Sequence, residues 1–173
     1  ELLEKALEAA PDLLKRAENS GCPENVVYAH HASRILLISL AEAESNPEEK
    51  RRLLEKALVH GNESFRLVEQ IETHNYWDRG IMQSGLASIK YELAGLAEDP
   101  ETKKDMIQEA LLDLDTAEKL CIKGLAPYGE EAPASLSVIL ARGQYNVGVW
   151  LNRLYEFTKN VEHLRKAIEA FRE

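Results

Sequence analysis

Apolar residues recur along most of this chain at the three- and four-residue spacing of an amphipathic helix. One such stripe consists of Leu53, Leu54, Ala57 and Leu58. No segment shows the sustained alternation of apolar and polar residues that is typical of a half-buried strand. The pattern predicts an all-α protein of about seven helices, over residues 1–19, 23–45, 47–73, 77–98, 100–123, 133–158 and 160–173.

Two short polar segments predict helix starts. Each places an Asx residue before a proline and a glutamate, at Asn46-Pro47-Glu48 and Asp99-Pro100-Glu101. The Asx side chain can accept hydrogen bonds from the first amides, and proline fits the first turn. Residues 124–133 form the longest predicted loop. Pro11 is expected to kink or break the first helix, because it removes a backbone hydrogen bond.

The chain also repeats itself. Residues 2–7 and 53–58 both read Leu-Leu-Glu-Lys-Ala-Leu, and an offset of 53 residues aligns Pro47 with Pro100. Related blocks share one alanine each, at Ala6, Ala57, Ala110 and Ala167. We interpret the unit as two antiparallel helices: an A helix before the Asx-Pro turn and a B helix after it. Stacked pairs would form one continuous core, as in a solenoid. Chance similarity among Leu-, Glu-, Lys- and Ala-rich helices is the alternative.

Composition narrows the class of protein further. The 173 residues are 45% hydrophobic and 29% charged, which suits one folded domain over 1–173 and excludes a disordered chain. The net charge of −9 makes nucleic acid an unfavourable partner. The chain begins at Glu1 without Met, which indicates a fragment of a longer protein.

Location is indicated by what the sequence lacks. The strongest apolar run, residues 35–41, is far shorter than the ~20 residues that span a bilayer, and no signal-peptide pattern appears. We therefore expect no membrane association and a cytoplasmic location. Cys22 and Cys121 form no spaced motif, so two free thiols are favoured over a disulfide.

The end of the chain carries a family resemblance. Residues 145–148 read Tyr-Asn-Val-Gly, and Lys166-Ala167-Ile168-Glu169 follows, with Ala167 nineteen residues after Gly148. These residues resemble the tetratricopeptide repeat family, which has Tyr-Asn-Leu-Gly and Lys-Ala-Leu-Glu at that spacing. The family period is about 34 residues, whereas the units here exceed 50. The chain therefore resembles a degenerate, long-helix form of the family.

The resemblance implies a right-handed superhelix whose A helices line a concave groove that binds a peptide. Mapped onto this chain, the groove residues are Ser39, Glu42, Ser88, Glu92, Tyr145, Val149, Asn152 and Arg153. In peptide-binding members, Asn and basic residues at such positions clamp a ligand, and Asn152 and Arg153 retain that chemistry. Because Glu42 and Glu92 are acidic, a basic or mixed peptide is favoured. The same residues could also be plain surface positions without a ligand.

Patterns for catalysis are missing from the sequence. It contains no phosphate-binding loop, no Gly-x-Ser-x-Gly, no Cys-x-x-Cys and no His-Glu-x-x-His. His30 and His31 are adjacent, and neighbours on a helix point about 100° apart, so they cannot readily share a metal. We therefore predict no enzyme activity, no cofactor and no metal.

Three functions are left open by the sequence. The leading hypothesis is a non-catalytic scaffold that binds a protein or peptide in the groove. The second is a structural or regulatory segment of a larger multidomain protein, which packs on neighbouring repeats or domains through its end helices and binds no ligand itself. Self-association through the end helices is a further partner expectation. This second hypothesis is supported by the unpaired B helix at the start of the chain. The third, an enzyme or small-molecule binder, has no motif to support it.

Overall fold

The structure is a computed structural model that describes residues 2–71, 76–125, 155 and 159–170. All regular secondary structure in these residues is helical, which confirms the all-α class. The helices are α1 (Leu2–Asn19), α2 (Pro23–Ala43), α3 (Pro47–Glu69), α4 (Tyr76–Leu96), α5 (Pro100–Leu125) and α6 (Val161–Ala170). The predicted helix over 133–158 lies outside the described residues except for Tyr155, which is helical. The count of seven helices thus stays a prediction.

The chain divides into two compact units, Glu1–His74 and Asn75–Glu173. Unit 1 contains α1, α2 and α3. Unit 2 contains α4, α5 and α6. The expectation of a single domain over 1–173 stays a prediction.

In unit 1, α2 packs against both α1 and α3. One side of α2 is apolar and buried at Val27, Leu37 and Ala41, and α3 contributes the buried residues Leu54 and Ala57 to the same unit. These positions recur at the spacing of one helix face, so burial of that face holds α2 in a fixed rotation. The opposite side of α2 faces solvent.

Both Asx-Pro segments begin helices as predicted. The Asn46 side chain accepts hydrogen bonds from the backbone N–H groups of Glu48, at 2.9 Å, and Glu49, at 3.3 Å. The Asp99 carboxylate accepts from the backbone N–H of Thr102 at 2.8 Å and from its hydroxyl at 2.6 Å. Each cap satisfies amides that have no partner within the helix.

Of the two outcomes expected at Pro11, the break is wrong, because α1 runs without interruption from Leu2 to Asn19. The kink stays a prediction. A proline inside a helix costs about 3 kcal/mol, and tertiary packing can offset such a local cost. Ala10 and Ala17, on either side of the proline, are buried in unit 1. Their burial offers the packing that keeps α1 continuous.

In unit 2, α4 packs along α5. Their shared core is built from small and branched residues: Ala87, Ala94, Ile107, Ala110 and Leu114. The helices also meet closely at Gly80, where a Cβ atom would lie 2.5 Å from Cys121 Sγ and 2.9 Å from the Ala117 carbonyl oxygen. Small residues therefore set the separation of the pair.

Burial follows the 53-residue repeat. The equivalent residues Ala41 and Ala94 are both buried, as are Ala57 and Ala110. The described α2–α3 and α4–α5 pairs are therefore two copies of one helical hairpin, as the repeat predicted.

Cys22 is a partly exposed free thiol, and Cys121 is a buried one, which agrees with the prediction of two free thiols. Burial, with a smaller effect from Glu118, raises the pKa of Cys121 to about 11. Among the described helices, none has the length and apolar character needed to cross a membrane.

Candidate functional site

The predicted groove residues fall on two helices and on an undescribed part of the chain. Ser39 and Glu42 lie on α2, three residues apart, with Ser39 half-buried and Glu42 exposed. Ser88 and Glu92 lie on α4, four residues apart, with Ser88 half-buried and Glu92 exposed. Each pair shares one side of its helix. The remaining predicted residues, Tyr145, Val149, Asn152 and Arg153, lie outside the described residues.

Two apolar side chains lie on the same side of α2 as Ser39 and Glu42. Tyr28 is 56% exposed and Ile35 is 46% exposed, although both are large. With Ala32 between them, these residues follow one another at three- and four-residue steps, so they form one stripe. We call the stripe Tyr28, Ala32, Ile35, Ser39 and Glu42 the α2 face.

The groove residues predicted on α2, Ser39 and Glu42, form only the polar end of the α2 face. The spacing of Tyr28 and Ile35 relative to Ser39 carried the missing signal, since all three recur at helical steps. What the sequence could not supply was which side of α2 is packed. In the structure, the buried residues Val27 and Leu37 identify the packed side of α2.

The matching stripe on α4 has a different character. At the 53-residue offset, Ile81 and Ser88 of α4 correspond to Tyr28 and Ile35, and both are half-buried. The Ser88 hydroxyl donates to the Ser84 carbonyl oxygen at 3.1 Å. A large, exposed apolar pair is therefore a property of α2 and is not repeated on α4.

A second feature of unit 1 is a pair of histidines that joins α2 to α3. The Nδ1 atoms of His30 and His60 are 2.9 Å apart, so one ring donates to the other. The ring centroids are 5.1 Å apart. His30 therefore pairs with His60, while the adjacent His31 lies 3.4 Å from the Arg34 guanidinium. Around this pair, the described residues supply no third His, Cys, Asp or Glu that would complete a metal-binding group.

Burial sets the protonation of both histidines. It lowers the pKa of His60, and the charge of a protonated His30 lowers it further. Burial also lowers the pKa of His30, against the opposing effect of Glu63 and Glu18 and with a further lowering by Arg66. Near neutral pH the pair is thus favoured in its uncharged form, with one Nδ1 as donor and the other as acceptor.

Unit 2 holds a polar pair at the equivalent place. Gln83 and Asp113 correspond to His30 and His60 at the 53-residue offset, and Gln83 Nε2 donates to Asp113 Oδ1 at 2.9 Å. Lys90 Nζ lies 2.7 Å from the other carboxylate oxygen of Asp113. Burial alone lowers the pKa of Lys90, but the bonds to Asp113 and Glu109 outweigh it and leave the pKa raised. The repeat therefore keeps a polar contact here while its chemistry changes.

No family model matches this chain. No curated protein matches it either. Among solved structures, one described as "DHF58 filament" is similar, with a TM-score of 0.53 and 17% sequence identity, over 98% of this chain and 78% of that chain. At that identity the similarity concerns the fold alone. Fold and repeat together define the class as an all-α protein built from helical hairpin repeats.

Proposed function

We propose that this protein is a non-catalytic interaction scaffold that binds a peptide segment of a partner protein along the α2 face. The observation that carries the proposal is the exposure of Tyr28 and Ile35 on the stripe that also holds Ser39 and Glu42. In this proposal the hairpins stack into a right-handed superhelix like that of tetratricopeptide repeats, and the A helices line its groove.

The apolar end of the α2 face supplies the affinity. Fully burying a large apolar side chain is worth roughly 1.5–3 kcal/mol, and aromatic residues are common anchors of protein interfaces. Tyr28 and Ile35 are about half exposed, so a partner has substantial apolar area left to cover at each. Ala32, between them, leaves room for a side chain of the peptide.

The polar end of the α2 face determines the direction in which the peptide binds. Glu42 is exposed one residue before the end of α2 at Ala43. The C-terminal end of a helix has a partial negative charge, so it favours a cation beside Glu42. We propose a peptide with two apolar side chains that contact Tyr28 and Ile35 and a Lys or Arg beside Glu42. On α4, Ser88 and Glu92 are the corresponding candidate residues.

The third hairpin extends the proposal to Asn152 and Arg153, which lie outside the described residues. Their resemblance to the clamping residues of peptide-binding tetratricopeptide repeats is the support. The double substitution Asn152→Ala/Arg153→Ala is expected to weaken a peptide that spans the whole groove. Unchanged binding would remove these two residues from the site.

The test begins with a random peptide library displayed on phage and selected on the purified chain. Selected peptides are expected to carry the apolar–apolar–basic pattern, and their binding is then measured by fluorescence polarisation. Tyr28→Ser and Ile35→Ser should each weaken binding about tenfold, the loss of about 1.4 kcal/mol. Val59→Ser is the matched control, because Val59 is an exposed apolar residue on α3 and lies off the α2 face. Equal effects of all three substitutions would reject the α2 face.

Self-association as a structural segment is the second candidate. Val59 and Leu112 occupy equivalent places on the B helices α3 and α5, and they are 68% and 67% exposed. The likeness in fold to the structure described as a filament adds support for this candidate alone. Sedimentation equilibrium distinguishes the two proposals: self-association that Val59→Ser/Leu112→Ser abolishes favours the structural role, and a monomer at all concentrations excludes it.

A further inference from the structure

Unit 1 contains a cavity of about 280 Å³ between its three helices. Leu7, Ala10 and Leu14 of α1 line one wall, and Leu37 of α2 lines another. The cavity therefore has an apolar interior. A cavity of about 150 Å³ already accepts a benzene molecule, so this one has room for a longer chain.

Two side chains of α3, Lys56 and His60, add polar groups to the same cavity. They lie four residues apart, on one side of the helix. Lys56 is exposed, so its ammonium group can stand at the mouth of the cavity. The Nδ1 of His60 is engaged by His30, which leaves Nε2 as the ring nitrogen for a ligand. Apolar walls with a few convergent polar groups are the usual make-up of a small-molecule site.

We infer that this cavity is a binding site for a medium-chain carboxylate, with the carboxylate at Lys56 and His60 and the alkyl chain against Leu7, Leu14 and Leu37. An ammonium group is always a donor, and a histidine can become one at both nitrogens, so the pair suits an anion and opposes an amine. Ser33 also lines the cavity, but its hydroxyl already donates to the Ala29 carbonyl oxygen at 2.9 Å. The cavity is separate from the α2 face, so the inference does not rest on the proposed partner binding.

The histidine pair makes this binding dependent on pH. In the free protein, burial and His30 lower the pKa of His60. A carboxylate at Nε2 adds a negative charge that favours protonated His60, which can donate from Nε2 to the ligand and from Nδ1 to His30. Binding is then accompanied by uptake of up to one proton, so affinity rises as the pH falls from 8 to 6.

The charges around the pair modulate this response without reversing it. Glu63 of α3 and Glu18 of α1 favour protonation of His30, whereas Arg66 of α3 opposes it. At His60 itself, burial and the charge of a protonated His30 both oppose protonation in the free protein. The proton is therefore taken up with the ligand and not before it.

Isothermal titration calorimetry of the full chain with sodium octanoate tests the inference. Octanoate is expected to bind at least tenfold more tightly than acetate, which lacks the chain, and than 1-octylamine, which has the opposite charge. Between pH 8 and pH 6 its affinity should rise several-fold. Titrations in two buffers with different heats of ionisation should reveal proton uptake. Equal binding of octanoate and octylamine, or no heat with millimolar octanoate, would overturn the site.

Variants separate the cavity from nonspecific binding to the surface. Lys56→Gln should weaken octanoate about fivefold, and His60→Gln should remove the pH dependence. Lys15→Gln is the matched control, because Lys15 is an exposed lysine that does not line the cavity, and it should leave binding unchanged. Ala10→Phe fills the cavity and should abolish binding. If Ala10→Phe fails to fold by circular dichroism, the Lys56 and Lys15 variants decide: equal effects of these two would reject the site.

Discussion

Replacing Gly80 with Ala is expected to destabilise unit 2, although Ala is the better helix former. The added Cβ would lie 2.5 Å from Cys121 Sγ and 2.9 Å from the Ala117 carbonyl oxygen, both on α5. Real Cβ atoms do not approach other heavy atoms this closely, so α4 or α5 must shift. The oxygen belongs to the backbone and cannot rotate away, which makes the shift costly.

The magnitude follows from two opposing effects. Ala in place of Gly stabilises a helix interior by about 1 kcal/mol. Overpacking a core costs about 1–3 kcal/mol, and two contacts below 3 Å, one of them to backbone, place Gly80→Ala in the upper part of that range. The net loss in the free energy of unfolding is therefore about 1–2 kcal/mol.

Urea unfolding followed by circular dichroism at 222 nm measures this loss. Gly95→Ala is the matched control, because it lies on the same helix, is exposed and has nothing within 4 Å of the added Cβ. It should raise the free energy of unfolding by about 0.5–1 kcal/mol. The two Gly→Ala substitutions should therefore have opposite signs.

A double-mutant cycle with Cys121→Ala locates the clash. Removing Sγ leaves the backbone contacts with the Ala117 carbonyl oxygen, at 2.9 Å, and the Cys121 nitrogen, at 3.2 Å. Gly80→Ala should therefore cost less in the Cys121→Ala background, with a coupling above about 0.5 kcal/mol. If Gly80→Ala instead stabilises the protein as much as Gly95→Ala does, α4 and α5 do not meet closely at Gly80 and the reasoning is refuted.

Three further predictions concern the caps, the histidines and the thiols. Asn46→Ala and its repeat equivalent Asp99→Ala should each lower the free energy of unfolding by about 1 kcal/mol in urea; no change in either would show that the cap is not formed. Because burial lowers the pKa of His60 in the folded state, the unfolded chain binds more protons, and stability should fall as the pH drops below about 6.5. His60→Gln should reduce this fall, measured as urea midpoints at pH 7.5 and 5.5, and an unchanged fall would contradict it. Iodoacetamide at pH 8 should modify Cys22 well before Cys121, because Cys121 is buried and its pKa is raised to about 11. Equal rates of modification by mass spectrometry would contradict the burial of Cys121.

Local signals in the sequence predicted the helix starts well. The Asx-Pro segments at residues 46–47 and 99–100 begin α3 and α5 in the structure, because caps and prolines act within one turn. The repeat offset of 53 residues likewise predicted the buried pair Ala57 and Ala110, since equal patterns bury equal positions.

Contacts between helices could not be predicted from such local signals. In the sequence His30 stands beside His31, whereas in the structure it pairs with His60, thirty residues away. Such a contact depends on the rotation of both helices and on the turn that joins them. The repeat held a partial clue, because Gln83 and Asp113 show the same separation and also form a hydrogen bond.

By itself, the sequence determined the helical class, the hairpin repeat and the two capped helix starts, because helical periodicity and capping are local properties of the chain. Only the tertiary structure decided which side of α2 stays exposed, where α4 and α5 meet closely at Gly80, and that a cavity opens beside His60. These features arise from packing between segments far apart in the chain, where small differences in rotation choose between burial and exposure.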